Sequence, residues 1–141
     1  MILSSKQDLL DARARISHIV HRTPVLTSST LNEMTGAEVF LKCENFQRMG
    51  AYKMRGASHA LSRLSDEQLA KGVVTHSSGN FAQAIALAAR IKGVKAVIVM
   101  PENAPAVKVE AVRGYGAEIM FSGPRPIDRE EAVRAVINER G

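Results

Sequence analysis

The sequence predicts an α/β fold: an open, mainly parallel sheet with helices on both faces, in three layers. Two observations indicate this class. From Gly72 onward, three short apolar segments, VVTH, KAVIVMP and AEIMF, alternate with three segments of helical periodicity. Strands that alternate with helices are expected to be parallel and joined by right-handed crossovers. The second observation is that KAVIVMP is apolar on both faces, as in a strand covered by helices on either side.

The first predicted helix begins at a capping box. Ser5 and Asp8 stand three residues apart, the spacing at which each side chain can bond the other residue's backbone N–H. Apolar residues at helical spacing follow. Because Pro24 disfavours helical geometry in the residue before it, the helix should end ahead of that proline. The next segment is rich in serine and threonine and is expected to be a loop.

One strand and two helices are predicted between that loop and the alternating half of the sequence. The segment 38–43, EVFLKC, places its side chains alternately on two faces and predicts a strand. The segment 54–64 predicts a helix. Ser65 and Gln68 repeat the capping-box spacing, which predicts the start of another, short helix.

The end of the sequence indicates a sheet that is incomplete. Asp128 and Glu131 have the spacing of a capping box and are expected to open the last helix. An alternating α/β pattern would next supply a strand, but the sequence ends at Gly141 directly after this helix. We therefore expect the parallel sheet to be unfinished.

The composition is typical of a globular protein in a reducing compartment. Hydrophobic residues make up 45% and charged residues 23% of the 141 residues, which excludes a disordered chain. No apolar segment is long enough to cross a bilayer and no export signal is visible, so a cytoplasmic location without membrane contact is expected. The single cysteine, Cys43, excludes an internal disulfide, and no Cys/His spacing predicts a metal site.

The charge pattern favours a small anionic ligand over a nucleic acid. Lysine and arginine number 19 against 14 aspartates and glutamates, a net charge of +5. The basic residues are scattered, and they are not interleaved with aromatic rings as in proteins that bind single strands. A phosphorylated small molecule would also use this positive charge.

The segment 75–84, THSSGNFAQA, places polar residues between an apolar strand and a helix. In a parallel sheet such a loop lies at the carboxyl end of a strand, where ligands bind and where the N–H groups of a helix start are available. A carboxylate or a phosphate is the expected ligand. The alternative is that Ser77, Ser78 and Asn80 only cap the helix and shape the turn.

A second candidate is Lys53, in the segment CENFQRMGAYKMRGASHA. A lysine is ordinarily a solvated surface charge. In a confined pocket, desolvation would instead favour the neutral amine, which attacks aldehydes. Tyr52 could supply a flat wall, and room for a planar ligand would come from the neighbouring small residues Gly50, Ala51, Gly56 and Ala57.

Three segments together resemble one enzyme family. They are HRTPVLTSSTLNEMTGAEVFLKCENFQRMGAYKMRGA, THSSGN and MPENAPAVKVEAVRGYGAEI. They are similar to serine racemases and serine/threonine dehydratases, pyridoxal-phosphate enzymes of the tryptophan-synthase-β fold type, and the similarity runs from about Ile16 to Phe121. The resemblance implies that residues 1–70 form the N-terminal part of a large cofactor domain. Residues 71–141 would form a small α/β domain that is truncated at its C-terminal end.

The resemblance assigns the cofactor to Lys53 and its surroundings. Lys53 would form the Schiff base with pyridoxal 5′-phosphate and later take the α-proton of the substrate. Tyr52, where phenylalanine is usual, would lie beside the cofactor, and Asn80 would hydrogen-bond its phenolic oxygen. The implied reaction removes the β-hydroxyl group of L-serine, L-threonine or a similar amino acid, and yields a keto acid and ammonia.

The resemblance also assigns substrate binding to the loop before the second helix of the alternating half. The residues that would receive the substrate carboxylate, or lie beside it, are Ser77, Ser78, Gly79, Asn80 and Phe81. Ser78 matches the serine that exchanges the α-proton on the face opposite the lysine in racemases. A proton returned there would give the opposite enantiomer.

Two residues depart from the family pattern. Ala51 stands where serine is usual, and Phe81 stands where histidine is usual beside the carboxylate loop. Family members also continue well beyond this length, and their later half holds the glycine-rich phosphate loop and the acidic ligands of a divalent cation (magnesium or calcium). The resemblance therefore implies that this chain is an N-terminal half, from a truncated or split polypeptide. It also implies a homodimer, or a complementary C-terminal half, as the partner of this chain.

A further site follows from the resemblance alone. Racemase members bind a nucleotide effector between subunits, and the matching residues are Ser28, Ser29, Thr30, Arg48 and Met49. Two alternatives to a dehydratase or racemase stay open. One is a non-catalytic paralogue that acts as a binding or interaction module, and the other is a general anion-binding α/β domain in which Lys53 has no chemical role.

Overall fold

The computed structural model describes residues 4–141, and the first half of that range is mostly helical. The elements between residues 4 and 71 are α1 (Lys6–Ile16), β1 (Val25–Thr27), α2 (Ser29–Thr35), β2 (Phe40–Lys42), α3 (Lys53–Ser62) and α4 (Asp66–Lys71). Strands β1 and β2 form an antiparallel pair. Two single-turn 3-10 helices, Glu44–Phe46 and Arg48–Gly50, connect β2 to α3.

A three-stranded parallel sheet forms the second half. Its elements are β3 (Val73–His76), α5 (Asn80–Lys92), β4 (Ala96–Pro101), α6 (Ala106–Gly114), β5 (Glu118–Ser122) and α7 (Pro126–Arg140). The strands are parallel and lie in the order β3-β4-β5. Helices α5 and α6 pack against each other on one face, whereas α7 contacts all three strands. The predicted open parallel sheet with helices on both faces is confirmed.

Strand β4 is the centre of this sheet, and all six of its residues are buried. Because side chains alternate along a strand, Ala96, Ile98 and Met100 face the main core, which they share with α5 and α6. Val97 and Val99 face the opposite side, where α7 packs. A strand with both faces covered must be apolar throughout, which explains the unbroken apolar run in this segment.

Helix α3 packs against α5 and joins the two halves of the chain. The buried side chains of α3 include Met54, Ala57 and Leu61, and those of α5 are mostly alanines. All belong to one apolar core. Small side chains allow two helices to lie close together, so this contact sets the position of the first residue of α3 relative to the start of α5. The division of the chain near residue 70 stays a prediction.

Two of the three helix starts predicted from capping-box spacings are confirmed. Ser5 with Asp8 and Ser65 with Gln68 each form a complete capping box, as predicted. The expectation for the last helix was wrong, because α7 begins at Pro126 and not after Asp128. Asp128 is the third residue of the helix, and its carboxylate accepts a hydrogen bond from the backbone N–H of the residue before Pro126 at 3.1 Å.

The segment predicted as a serine- and threonine-rich loop is also different. It forms strand β1 and then helix α2, which Ser28 caps by accepting a hydrogen bond from the N–H of Leu31 at 3.4 Å. Helix α2 ends at Gly36, whose φ of 65° is the left-handed conformation that glycine adopts readily. The predicted strand 38–43 is shorter than expected, because the N–H of Val39 bonds the Asn32 side chain at 2.8 Å and takes no part in the sheet.

A carboxylate network fixes the connection between β2 and α3. Glu44 accepts two hydrogen bonds from the Arg55 guanidinium, at 2.8 and 2.7 Å, and one from the hydroxyl of buried Thr23 at 2.6 Å. The hydrogen bond from Arg55, followed by that from Thr23 and by the attraction of nearby positive charge, lowers the pKa of Glu44 from 4.5 to about 2 despite the opposing effect of desolvation.

Gln47 holds the same connection against the N-terminal segment. Its side chain is buried, and its Oε1 accepts from the N–H of His21 at 2.8 Å while its Nε2 donates to the carbonyl of His21 at 3.0 Å. Arg48 donates from Nε to the carbonyl of Ile19. The loop that leads into Lys53 is therefore held by side-chain bonds on both of its single-turn helices.

We expect the substitution Glu44→Gln to lower the free energy of unfolding at pH 7 by about 1–3 kcal/mol. The substitution removes the carboxylate charge that accepts hydrogen bonds from Arg55 and from buried Thr23. The folded pKa of Glu44 is depressed, so its stabilising contribution is present above about pH 4.5 and is lost as pH falls toward 2. Urea unfolding of parent and variant between pH 7 and pH 2.5 should show a difference that shrinks over that interval.

The control for this prediction is Glu110→Gln, which removes an exposed carboxylate paired with Arg113 three residues later on the same helix. Exposed pairs contribute little, so this variant should unfold at nearly the same urea concentration as the parent. A Glu44→Gln difference that stays constant from pH 7 to pH 2.5 would contradict the assignment of the network to the Glu44 charge.

Candidate active site

The loop of residues 77–79 lies at the carboxyl end of β3 and leads directly into α5. Ser77 continues the sheet, since its N–H donates to the carbonyl of Val99 at 3.0 Å. Its hydroxyl oxygen accepts from the N–H of Gly79 at 3.2 Å and so shapes the turn. Gly79 is the N-cap residue of α5, and no side chain caps this helix. The first N–H groups of α5 are therefore available to an anion.

These contacts test the alternative that the polar residues of this loop only cap the helix and shape the turn. Ser77 shapes the turn, as that alternative holds, but neither it nor Ser78 or Asn80 caps α5. Ser78 and Asn80 are exposed instead. Polar side chains that are not used for capping, next to an uncapped helix start, can contact a ligand.

Lys53 is the first residue of α3, and its amine lies near two aromatic rings. Its Nζ is 5.1 Å from the centroid of the Tyr52 ring and 5.9 Å from the centroid of the Phe81 ring. Both rings attract an ammonium group through their π faces. Phe81 is the second residue of α5, so the structure brings the two candidate segments of the sequence together. Lys53 is half-buried, as distinct from a fully solvated surface lysine.

The backbone turns sharply just before Lys53. Met49 and Gly50 both have positive φ, 54° and 71°. For a residue with a side chain this conformation is unfavourable, and the Met49 side chain compensates by packing against the core. Ala51 follows and is buried. Because Ala51 replaces the serine usual in the resembling family, this buried position carries no hydroxyl.

A lysine that the sequence analysis missed also reaches this region. Lys108, near the start of α6, donates from Nζ to Oδ1 of Asn80 at 2.8 Å. Helix α6 follows β4, the neighbour of β3, so both helices begin at the same edge of the sheet. The signal available in the sequence was a lysine just after the carboxyl end of a strand, at the sheet edge where ligands bind.

The residues present fit part of the requirements of pyridoxal phosphate. Lys53 supplies the amine, Asn80 supplies an amide, and the start of α5 supplies N–H donors. A Cβ atom added at Gly56 or Gly79 would meet no atom within 4 Å, so there is open space at both positions. A glycine cluster that could receive the phosphate group is not found in the sequence.

The residues assigned to a nucleotide effector have structural roles. Ser28 caps α2, and Ser29 and Thr30 form the first turn of that helix. Arg48 binds the Ile19 carbonyl, and Met49 forms the sharp turn before Lys53. Within residues 4–141, no hydrogen bond joins the α2 group to the Arg48 and Met49 pair.

Two further observations concern metal ligands and membrane-spanning helices. In the part of the chain that the structure describes, no three histidine, cysteine, aspartate or glutamate side chains are grouped as metal ligands. Over the same range, 4–141, no helix combines the length and the apolar character needed to cross a membrane.

The chain is similar to known enzymes over its whole length. It is 53% identical to the L-threo-3-hydroxyaspartate ammonia-lyase of Saccharomyces cerevisiae over 141 residues, which cover all of this chain and 43% of that enzyme. It is 48% identical to the serine racemase of Schizosaccharomyces pombe, again over its full length and 44% of the relative. The chain thus spans less than half the length of the curated relatives that it matches.

The fold agrees with these similarities. The solved structure of maize serine racemase superposes with a TM-score of 0.96 at 48% identity, over 99% of this chain and 43% of the maize chain. Residues 16–141 match the family model described as "Pyridoxal-phosphate dependent enzyme". The match includes Lys53, the 77–81 loop and Lys108. The chain therefore belongs to the family of pyridoxal-phosphate dependent enzymes.

Proposed function

We propose that this chain is part of a pyridoxal-phosphate enzyme that removes ammonia from small hydroxy amino acids, as a serine/threonine dehydratase does, or that racemises serine. The observation that carries the proposal is the position of the Lys53 amine, 5.9 Å from the ring of Phe81 at the uncapped start of α5. An amine that can bind an aldehyde is thereby held next to a site that can bind a carboxylate. The similar relatives include an ammonia-lyase and a racemase, which supports both reactions.

Different residues of the site would have different roles in the reaction. Pyridoxal phosphate supplies an electron sink for the carbanion at the substrate α-carbon when it is bound. The Lys53 amine would attach the cofactor and then move the α-proton. The N–H groups at the start of α5 would hold the substrate carboxylate, and Asn80 would donate to the phenolic oxygen of the cofactor.

Ser78 and Phe81 lie in or next to the same loop and would influence the reaction outcome and substrate binding, respectively. Ser78 is an exposed residue in the loop that follows β3. Its hydroxyl would give or take a proton on the face opposite Lys53. Phe81 has no hydrogen-bonding group where the resembling family has histidine. An aromatic wall here would bind the substrate through its apolar surface and would leave carboxylate binding to the backbone of the loop.

We propose that a further polypeptide completes the enzyme, either a complementary C-terminal half or the rest of a longer chain that dimerises. Strands β1 and β2 expose large apolar side chains, with Val25 at 54%, Leu26 at 50%, Phe40 at 60% and Leu41 at 42%. A two-stranded sheet is marginally stable by itself and is normally extended or covered. The completing polypeptide would cover these strands, supply the phosphate loop and hold any divalent cation.

A groove next to these strands supports the same proposal. It lies between α1 and α3, has a volume of about 1090 Å³ and is lined by apolar residues of α1 and by several basic side chains. Covering this groove would bury apolar surface and pair some of the positive charge.

The substrates proposed are L-serine, L-threonine or similar amino acids, and the proposed compartment is the cytoplasm. The nucleotide effector near Ser28 and Arg48 stays a prediction from the family resemblance.

We expect Lys53→Ala to abolish covalent attachment of pyridoxal phosphate, because the ε-amine of Lys53 is the group proposed to form the bond. Borohydride reduction with the cofactor, followed by peptide mass spectrometry, should label the Lys53 peptide of the parent and should fall to background in the variant. Lys92→Ala, at an exposed position at the other end of α5, is the matched control and should label normally. Equal labelling of parent and Lys53→Ala would show that the amine is assigned wrongly.

In the completed enzyme, we expect Ser78→Ala to lower racemisation of serine by about 100-fold or more and elimination by less than tenfold. Elimination needs a base on one face only, and general acid–base groups typically contribute 10²–10⁴-fold. The measurement is the rate of D-serine formation beside the rate of keto acid formation. Ser17→Ala, on the exposed end of α1, serves as control. A parallel loss of both activities would overturn the division of roles.

The 141-residue chain alone is expected to fold, to associate with itself and to show no measurable dehydratase or racemase activity. The parallel sheet and α3 share one apolar core that favours folding, but several charge-assisted hydrogen bonds to the cofactor phosphate, each worth about 1.5–3 kcal/mol, would be missing. Sedimentation measures the self-association, and a keto acid assay measures the dehydratase activity.

Leu26→Gln should reduce association, and added C-terminal polypeptide of a relative should produce activity. Robust turnover of L-serine by the chain alone would contradict the need for a partner, whereas a folded chain that never gains activity would favour a non-catalytic binding module.

A further inference from the structure

Lys108 contacts the candidate site from the neighbouring helix. It is the third residue of α6, and its Nζ lies 2.8 Å from Oδ1 of Asn80, the first residue of α5. The side chain of Lys108 is half-buried. Helix α6 is held to the core by Val109 and Val112, which are buried apolar residues on the same helix. The Lys108 ammonium is therefore not needed to anchor α6.

The ammonium group determines which way the Asn80 amide faces. A side-chain amide has an acceptor oxygen and a donor nitrogen in nearly equivalent positions, so its orientation depends on its partners. A lysine ammonium donates hydrogen bonds and accepts none, so only Oδ1 can face Lys108. The opposite orientation would place N–H donors against N–H donors. Nδ2 therefore faces away from Lys108, and within residues 4–141 no hydrogen bond engages it.

We propose that Lys108 is a positioning residue that holds the Asn80 amide with its donor end toward the ligand. The inference rests on the proposed function, in which Asn80 donates to the phenolic oxygen of pyridoxal phosphate. A donor stabilises that oxygen in its anionic form, whereas an amide oxygen in the same place would repel it. Lys108 also polarises the amide from its other end, which strengthens Nδ2 as a donor.

The orientation of the amide can be measured without any cofactor. The variants are Lys108→Met, which keeps the length of the side chain but cannot donate, and Lys108→Arg, which keeps a donor-only cation. In isotope-labelled protein, nuclear Overhauser contacts of the Asn80 Nδ2 protons should show one orientation in the parent and in Lys108→Arg. Lys108→Met should populate both orientations. A single unchanged orientation in Lys108→Met would overturn the inference.

The consequence for ligand binding is measured by labelling of Lys53. The readout is the concentration of pyridoxal phosphate that half-saturates borohydride-stable labelling of the Lys53 peptide. Because the apparent dissociation constant rises as the competent fraction falls, Lys108→Met should raise this concentration about two- to tenfold, and Lys108→Arg should restore it. Lys92→Met, at the far end of α5, is the matched lysine control and should have no effect.

A double substitution separates positioning from a general effect of charge or packing. If Lys108 acts through Asn80, Lys108→Met should cause no further loss in an Asn80→Ala background. An additive loss, or a half-saturating concentration that does not change in the single variant, would overturn the inference. If the parent chain is not labelled at Lys53 even when a complementary C-terminal polypeptide of a relative is present, the proposed function fails, and the orientation measurement then decides the role of Lys108 alone.

Discussion

The close packing of α3 against α5 is the contact on which the candidate site depends. Each helix carries one half of the site at its N-terminus: Lys53 on α3, and Asn80 with Phe81 on α5. The buried residues of the two helices include several small side chains, among them Ala57 on α3 and the alanines of α5. Small residues let the helices approach closely, and the two N-termini meet as a result. The 5.9 Å separation between the Lys53 amine and the Phe81 ring follows from that packing.

A second restraint acts on the loop that delivers Lys53 to this position. The turn at Met49 and Gly50 uses left-handed backbone, which is unfavourable for methionine, so it needs support from its surroundings. Glu44 and Gln47 provide it through bonds to Arg55 and to the backbone of His21. None of these three side chains needs to contact a ligand. They stabilise the backbone conformation that positions the Lys53 amine.

On the proposed function, the chain holds the reactive amine and the carboxylate loop but lacks a receiver for the cofactor phosphate. The same chain exposes apolar side chains on β1 and β2 and a groove beside α1. The completing polypeptide proposed above would account for both properties, since it would cover the apolar surface and bring the missing donors. Binding of the cofactor and formation of the full core would then be coupled, because each needs the same polypeptide.

Local sequence patterns were enough to predict most of the helices and strands and to select the candidate residues. Alternating apolar segments predicted the parallel sheet, capping boxes at Ser5 and Ser65 predicted two helix starts, and the motifs around Lys53 and Ser78 predicted the family. Its errors were local as well. Ser28 and Gly36 are ordinary helix-cap residues within the segment predicted as a loop, and Pro126, not Asp128, opens the last helix.

Which of these residues contact one another depends on how the helices and strands pack together. Periodicity and caps depend on neighbours within a few positions, so they report backbone conformation and buried faces. The distances from Lys53 to Phe81, from Lys108 to Asn80 and from Arg55 to Glu44 depend on how separate elements pack against one another. That packing is set by the shapes of whole buried surfaces, which no short segment of the sequence contains.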